Sequence, residues 1–240
     1  MRPCAPTPIR PCVTLVPRMS SEERPLIIAI DGPSGVGKGT VSRALARALG
    51  YTHVDTGAMY RAVGWAAHQR GLSLIDEDAV SALAATLQLT VEDGLVVADG
   101  TDITRAVRTP DIDRAATAVA RMPKVREILV DRQRALARGR GVVMEGRDIG
   151  TVVFPGADVK IYLDASPEER ARRRAADPAH GGRPQELAAI ATALAARDKI
   201  DSTRSVSPLM VARDAIVVDT TDIPVDAVVA RVMEMVRQRR

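Results

Sequence analysis

The sequence predicts an α/β domain: a five-stranded parallel sheet flanked by helices and interrupted by a small antiparallel β insert. Three observations carry this. Short apolar runs at 26–31, 52–55, 142–145, 159–164 and 215–219 alternate with longer stretches of helical period, the pattern of parallel strands joined by crossover helices. The first run ends in a glycine-rich loop that opens directly into a helical pattern. From Leu87 the period changes to two, and Asp93-Gly94 and Asp99-Gly100 mark tight turns between the alternating runs.

The glycine-rich loop reads Gly32-Pro33-Ser34-Gly35-Val36-Gly37-Lys38-Gly39-Thr40. Its glycines let the backbone turn tightly and approach a ligand without a Cβ in the way. Consecutive N–H groups then point into one concavity, reinforced by the positive end of the helix that follows. In the strand–loop–helix context this is a phosphate-binding P-loop. Lys38 is within reach of nucleotide β- and γ-phosphates, and the Thr40 hydroxyl is the candidate Mg²⁺ ligand. The common pattern has Ser or Thr directly after the lysine; here Gly39 intervenes.

The remaining elements follow in order. The helix after the loop spans 41–49 and closes at Gly50. The strand at 52–55 leads into a helix over 56–68 with Thr56 as its N-cap. A helix is expected at 76–86. Leu87, Leu89 and Val91, then Leu95 and Val97, give about three antiparallel strands around the Asp-Gly turns. Helices are predicted at 111–121 and 123–138, with Pro123 at a permitted first position and Gly139 as terminator. The central strand ending at Glu145 runs into a turn over 146–150. After the strand at 159–164, Ser166-Pro167-Glu168-Glu169 is a capping box. It opens a helix dense in arginine (Arg170, Arg172, Arg173, Arg174). A loop rich in Gly and Pro spans 177–184. Leu187, Ile190 and Leu194 share one face of a further helix, and a last helix covers 225–239. In this architecture ligands lie beyond the carboxyl ends of the strands, where the P-loop, Thr56, Arg147 and Asp148 gather.

Composition narrows the function classes. The 240 residues are 46% hydrophobic and 27% charged, which suits one globular domain with an elaboration. No apolar run approaches the roughly 20 residues a membrane span requires. Residues 1–24 are rich in Pro and Arg, without periodicity, and read as a disordered tail ahead of a domain at 25–240. Their apolar stretch is short and broken by prolines, so no secretory signal is expected, and Met19 is a second candidate start. The pI of about 9.4 suggests nucleic acid, but half of the +4 net charge belongs to the tail, and aromatics make up only 2%. No stacking platform for single strands is therefore expected. Of 34 basic residues all but four are Arg, which suits bidentate phosphate binding. Cys4 and Cys12 both fall in the tail, which excludes a disulfide framework from the domain and fits a reducing, cytoplasmic location. His53, His68 and His180 are scattered and form no ligand set.

Four collinear motifs carry a resemblance: the P-loop, Asp-Thr-Gly-Ala-Met-Tyr-Arg at 55–61, Glu-Gly-Arg-Asp-Ile-Gly-Thr-Val-Val-Phe-Pro at 145–155, and the strand and arginine-rich helix at 159–174. Together they resemble the bacterial cytidylate kinases, from about residue 26 to the C-terminus. The Gly-Lys-Gly-Thr ending is likewise that of small nucleotide kinases of the adenylate-kinase type. The resemblance implies a P-loop NTPase fold in three parts: a core, a monophosphate-binding region with β insert at about 56–125, and a short lid at about 170–184. It implies transfer of the ATP γ-phosphoryl group to CMP or dCMP with Mg²⁺, in pyrimidine nucleotide metabolism. The partners would be these small molecules, with no nucleic acid or membrane, and the chain would be a monomer.

The resemblance also implies residue roles. Residues 32–40 hold ATP, and Lys38, Arg147 and Arg204 are catalytic. Arg61, Arg147 and Arg204 grip the CMP phosphate, a task for which guanidinium forks are suited. Thr56 joins the substrate contacts. Arg197 and Asp201 meet the ribose; with Arg204 they are spaced four and three apart and share a helix face, although an exposed ion-pair ladder uses the same spacing. Thr117, Arg126 and Asp148 read the cytosine, whose O2 and N3 accept and whose N4 amino group donates. Glu145 stands where many relatives carry Asp.

The acceptor is already an anion, so the reaction needs positioning and charge neutralisation more than a strong base. Closure of the lid would exclude water that would otherwise take the phosphoryl group. Two rival readings are a kinase for UMP or AMP, and a P-loop switch or RNA-binding regulator without transferase activity. The cytosine-facing trio and the β insert oppose the first. The near-neutral charge of the domain and the absence of an aromatic platform oppose the second.

Overall fold

A computed structural model describes residues 24–177 and 187–239. β1 (Ile27–Asp31) runs into the glycine loop and α1 (Lys38–Leu49), and β2 (Thr52–Asp55) into α2 (Thr56–Gln69). α3 (Glu77–Thr86) precedes the insert, made of β3 (Leu89–Glu92), β4 (Leu95–Ala98) and β5 (Thr101–Asp102). α4 (Pro110–Val119) and α5 (Pro123–Leu136) return the chain to the sheet at β6 (Val142–Gly146). A single π-helical turn (Ile149–Val153), β7 (Val159–Asp164) and α6 (Pro167–Ala176) follow. The chain closes with α7 (Leu187–Thr203), β8 (Ile216–Asp219) and α8 (Val225–Arg237).

The five expected strands pair in parallel in the order β2-β6-β1-β7-β8. β1 alternates between two cores. Ile28 and Ile30 pack with Val41 and Leu45 of α1 and Val232 of α8. Ala29 faces the other way, with Val54, Met144, Ile149 and Val130 of α5. Strands buried on both faces read as continuous apolar runs, which is how β1 and β6 read in sequence. A separate core under α2–α5 includes Val63, Leu83, Val96 and Leu129, so the insert is part of a second packed layer.

The insert matches expectation. Asp93 and Asp99 take positive φ (52° and 46°), as do the glycines after them, so both Asp-Gly pairs are type I′ hairpin turns. The strands pair antiparallel in the order β3-β4-β5.

Two local assignments are corrected. Asp55, not Thr56, caps α2: its backbone is extended and its carboxylate accepts from the Ala58 N–H at 3.0 Å. Thr56 is the first helical residue, and its hydroxyl donates to the Glu145 carbonyl oxygen at 2.7 Å. A carboxylate one residue earlier reaches the third helical N–H, so it displaces the hydroxyl from that task. The segment after Glu145 is not a simple turn either. Gly146 still belongs to β6, and the π-helical turn starts at Ile149. Asp31 holds it there, with its two carboxylate oxygens accepting from the Ile149 and Gly150 N–H groups at 2.8 and 2.7 Å.

The expected tail, apart from Arg24, and most of the Gly- and Pro-rich loop at 177–184 lie outside the described residues. Among the described residues no helix is long and apolar enough to cross a membrane.

Candidate active site

The P-loop is shaped by where it passes. Gly32 has φ +147°, and a Cβ there would lie 2.1 Å from the Leu163 carbonyl oxygen of β7, so only glycine lets the loop leave the sheet here. Gly37, left-handed at φ 89°, caps α1 and aims the helix start into the loop. Lys38 folds its ammonium back onto the loop, donating to the Gly32 and Pro33 carbonyl oxygens at 2.8 and 2.6 Å. Burial, and then the neighbouring Arg147 charge, pull its pKa down to about 7.

One cleft of about 650 Å³ opens beside this loop. Every residue assigned to the site from the sequence lines it except Gly32 and Pro33, which are buried at the start of the loop. Residues from 34 to 204 are thus brought together by the carboxyl ends of β1, β2 and β6 and by α4, α5 and α7. Thr40 is exposed at the cleft.

Arg147 joins the two sides. Its Nη2 donates to the Ser34 hydroxyl at 2.7 Å and its Nε to Asp201 at 2.9 Å. Arg61 pairs with Asp55 at 2.8 Å, and Arg197 lies 3.9 Å from Asp113. Arg204 donates to the Ser207 carbonyl oxygen at 2.6 Å and faces Asp148 at 3.6 Å. Arg61, Arg126 and Arg197 keep a buried Nε, and Arg204 a buried Nη2, with no hydrogen-bond acceptor. Buried guanidinium nitrogens are rarely left so, and four around one cleft fit an anion. Burial, and next the repulsion of neighbouring arginines, push Arg197 and Arg204 below the usual arginine range.

At the far end Arg126 is buried against Asp148 and stands 5.4 Å over the Tyr60 ring. Burial pushes the Asp148 carboxyl up, against the pull of Arg126 and Arg204. The Thr117 hydroxyl donates to the Asp113 carbonyl oxygen at 2.9 Å, so its lone pairs are what it offers the cleft.

Sequence reasoning missed the carboxylates that hold these arginines. Asp113 pairs with Arg174 across the cleft, from α4 to α6. Asp198 binds Arg170 and accepts from the Ser34 N–H at 3.2 Å. The arginines of α6 are tied to the loop as well: Arg170 donates to the Ser34 carbonyl oxygen and Arg173 to that of Val36, each at 3.2 Å. A signal existed for Asp113, which is four residues before Thr117 and so on the same helix face. Nothing local distinguished Asp198.

The cytidylate kinase family profile matches residues 28–238. The chain belongs to the cytidylate kinase family. It is a phosphotransferase that passes the γ-phosphoryl group of ATP to CMP or dCMP, and the rival readings fall with that assignment. A cytidylate kinase from Pelotomaculum thermopropionicum is 48% identical over 218 residues, covering 89% of this chain and 96% of its own length. One from a Geobacillus species (strain WCH70) is 47% identical, covering 88% and 96%. A solved structure of an uncharacterized protein from Eubacterium ventriosum has a TM-score of 0.52 at 12% identity, over 90% of this chain and 99% of its own, a likeness of fold alone.

Proposed function

We propose that the cleft divides its work between a donor side and an acceptor side, with Arg147 between them. The P-loop N–H groups and Lys38 hold the ATP phosphates. Arg61, Arg147 and Arg204 hold the CMP phosphate, Arg197 and Asp201 face the ribose, and Thr117, Arg126 and Asp148 meet the base. The observation that carries this is the ring of buried guanidinium nitrogens without acceptors, clustered where the sheet presents its carboxyl ends.

Phosphate binding gives Arg61 and Arg204 acceptors, the rest of CMP serves Arg126 and Arg197, and the ATP phosphates draw Lys38 off the Gly32 and Pro33 carbonyl oxygens. The ammonium and guanidinium groups then neutralise charge on the passing phosphoryl group in a site that excludes water. The monophosphate-binding region at about 56–125 positions CMP, and the segment at about 170–184 acts as the lid, with Arg170 and Arg173 already anchored to the loop.

The donors present fit Mg²⁺. The Thr40 hydroxyl is exposed, and the Glu145 carboxylate lies beside Gly39, a set of hard oxygens. Among the described residues there is no cluster of three or more His, Cys, Asp or Glu, which suits an ion that keeps its waters and binds through substrate phosphates. When bound, Mg²⁺ supplies charge at the β- and γ-phosphate oxygens.

A coupled assay of ADP release with CMP, dCMP, UMP and AMP tests the reading. Turnover is expected with CMP and dCMP, and the Lys38→Ala protein should keep its fold and lose turnover. Near-normal turnover by that variant would remove the P-loop from the mechanism.

A further inference from the structure

His53 is buried on β2, outside every role assigned so far; its side chain is 1% exposed. β2 is one edge of the sheet, paired among the described residues with β6 alone. An edge strand presents unpaired backbone groups, and at His53 the insert covers them. Its carbonyl oxygen accepts from the Asp93 N–H at 3.2 Å, and its N–H donates to the Asp93 carboxylate at 3.4 Å. The hairpin turn at Asp93-Gly94 therefore grips this one residue of the sheet.

The side chain of His53 points inward. Its Nε2 lies 2.9 Å from Glu145 Oε1. A carboxylate can only accept, so the contact places the ring proton on Nε2 and leaves Nδ1 without a partner, as observed. Glu145 in turn abuts the P-loop: a Cβ on Gly39 would lie 3.3 Å from its Oε1. Arg43 of α1 comes as near, 3.4 Å from the same Cβ position, and donates to the Gly39 carbonyl oxygen at 3.3 Å. It also touches the insert, its Nη1 standing 3.0 Å from where a Cβ on Gly94 would be. The residue after the P-loop lysine thus has a carboxylate and a guanidinium beside it. Glu145 is also among the negative charges that offset the burial of the Lys38 ammonium.

We propose that His53 is a positioning residue for phosphoryl transfer: pinned by the Asp93-Gly94 turn, it holds the Glu145 carboxylate against Gly39 of the P-loop. This rests on the reading that transfer occurs over that loop. Without His53 the carboxylate would rotate toward Lys38, whose buried charge it already offsets, and there compete with the ATP phosphate oxygens. The β insert then serves the donor side of the cleft as well as the acceptor side.

The test uses the full chain, with ADP release and thermal melting measured on each variant. His53→Leu should lower kcat about tenfold, the low end for a residue that orients another. KM for CMP should stay unchanged, because no group facing CMP is altered. His53→Gln, whose amide can still donate to Glu145, should regain most of the loss, while the shorter His53→Asn at the same melting temperature should not. In a Glu145→Ala background, His53→Leu should have no further effect on kcat. Asp93→Ala should give a smaller loss of kcat of the same kind. The proposal is overturned if His53→Leu keeps native kcat, if Gln and Asn perform alike, if the losses at His53 and Glu145 simply add, or if Asp93→Ala changes nothing. Failure of the native protein to turn over CMP would strike the underlying reading instead, so the two failures are distinct.

Discussion

Arg147 donates to the Ser34 hydroxyl at 2.7 Å, which places a residue from the end of β6 in direct contact with the P-loop. Its Nε is held by Asp201 of α7 at 2.9 Å. One guanidinium therefore bridges the P-loop and α7, and so sets the distance between the proposed ATP and CMP sides of the cleft. In-line transfer depends on that distance.

Arg147→Lys should lower kcat/KM for CMP by about a hundredfold or more, and should also lower the melting temperature, because both hydrogen bonds are made in the free protein. An ammonium keeps the charge but cannot reach Ser34 and Asp201 as a fork does. Charged hydrogen bonds are worth about 1.5–3 kcal/mol each, so losing two is enough for that effect. Steady-state kinetics beside thermal melting decides it; a variant within threefold of native would show that charge alone suffices.

ATP binding should take up protons at pH 8. In the structure the pKa of Lys38 is about 7, lowered chiefly by burial, and phosphates would raise it. The bound state then holds more protons than the free state above pH 7, so affinity is full below about pH 7 and falls as pH rises. Calorimetry in buffers of different ionisation enthalpy measures the uptake. Lys38→Met should abolish it.

Asp148→Asn should narrow the preference for CMP over UMP by about tenfold or more, the scale of one charged hydrogen bond. A carboxylate accepts from the cytosine amino group and repels the uracil carbonyl, whereas an amide can face either. The structure adds a second consequence, since Arg126 loses its buried charge partner and CMP affinity should fall too. Both substrates must be measured at saturating ATP; an unchanged ratio would remove Asp148 from base reading.

Asp31→Asn should destabilise the fold by about 1–3 kcal/mol at pH 8, because an amide has one acceptor oxygen where two N–H groups need one each. Burial raises the native carboxyl to about 6, despite those two hydrogen bonds. The folded state then binds the proton more tightly than the unfolded one, so Asp31 adds stability as pH falls from about 6 toward 4. The variant lacks that gain, and its deficit in melting temperature should widen over this range.

The sequence by itself determined what is encoded within a few residues. The P-loop, the two Asp-Gly turns and the Ser166 N-cap depend on local backbone preference, and each formed where it was expected. The reciprocal half of the capping box did not form, because the Ser166 N–H donates to Thr221 and the Glu169 carboxylate accepts from Arg172 and Arg173. The five strands were legible because burial on both faces demands unbroken apolar runs. Most site residues were legible because they belong to motifs whose chemistry is recognisable. Which carboxylate meets which of 30 arginines was not. Asp113 with Arg174, Asp198 with Arg170 and His53 with Glu145 are separated by 61, 28 and 92 residues. Charge pairing of this kind has no periodicity and leaves no trace in composition. The pairing of β2 with β6 decided His53 and Glu145, while the placement of α6 against α7 and opposite α4 decided the other two. The cap of α2 was likewise settled in three dimensions, where Glu145 of β6 gave Thr56 another acceptor and left the helix end to Asp55.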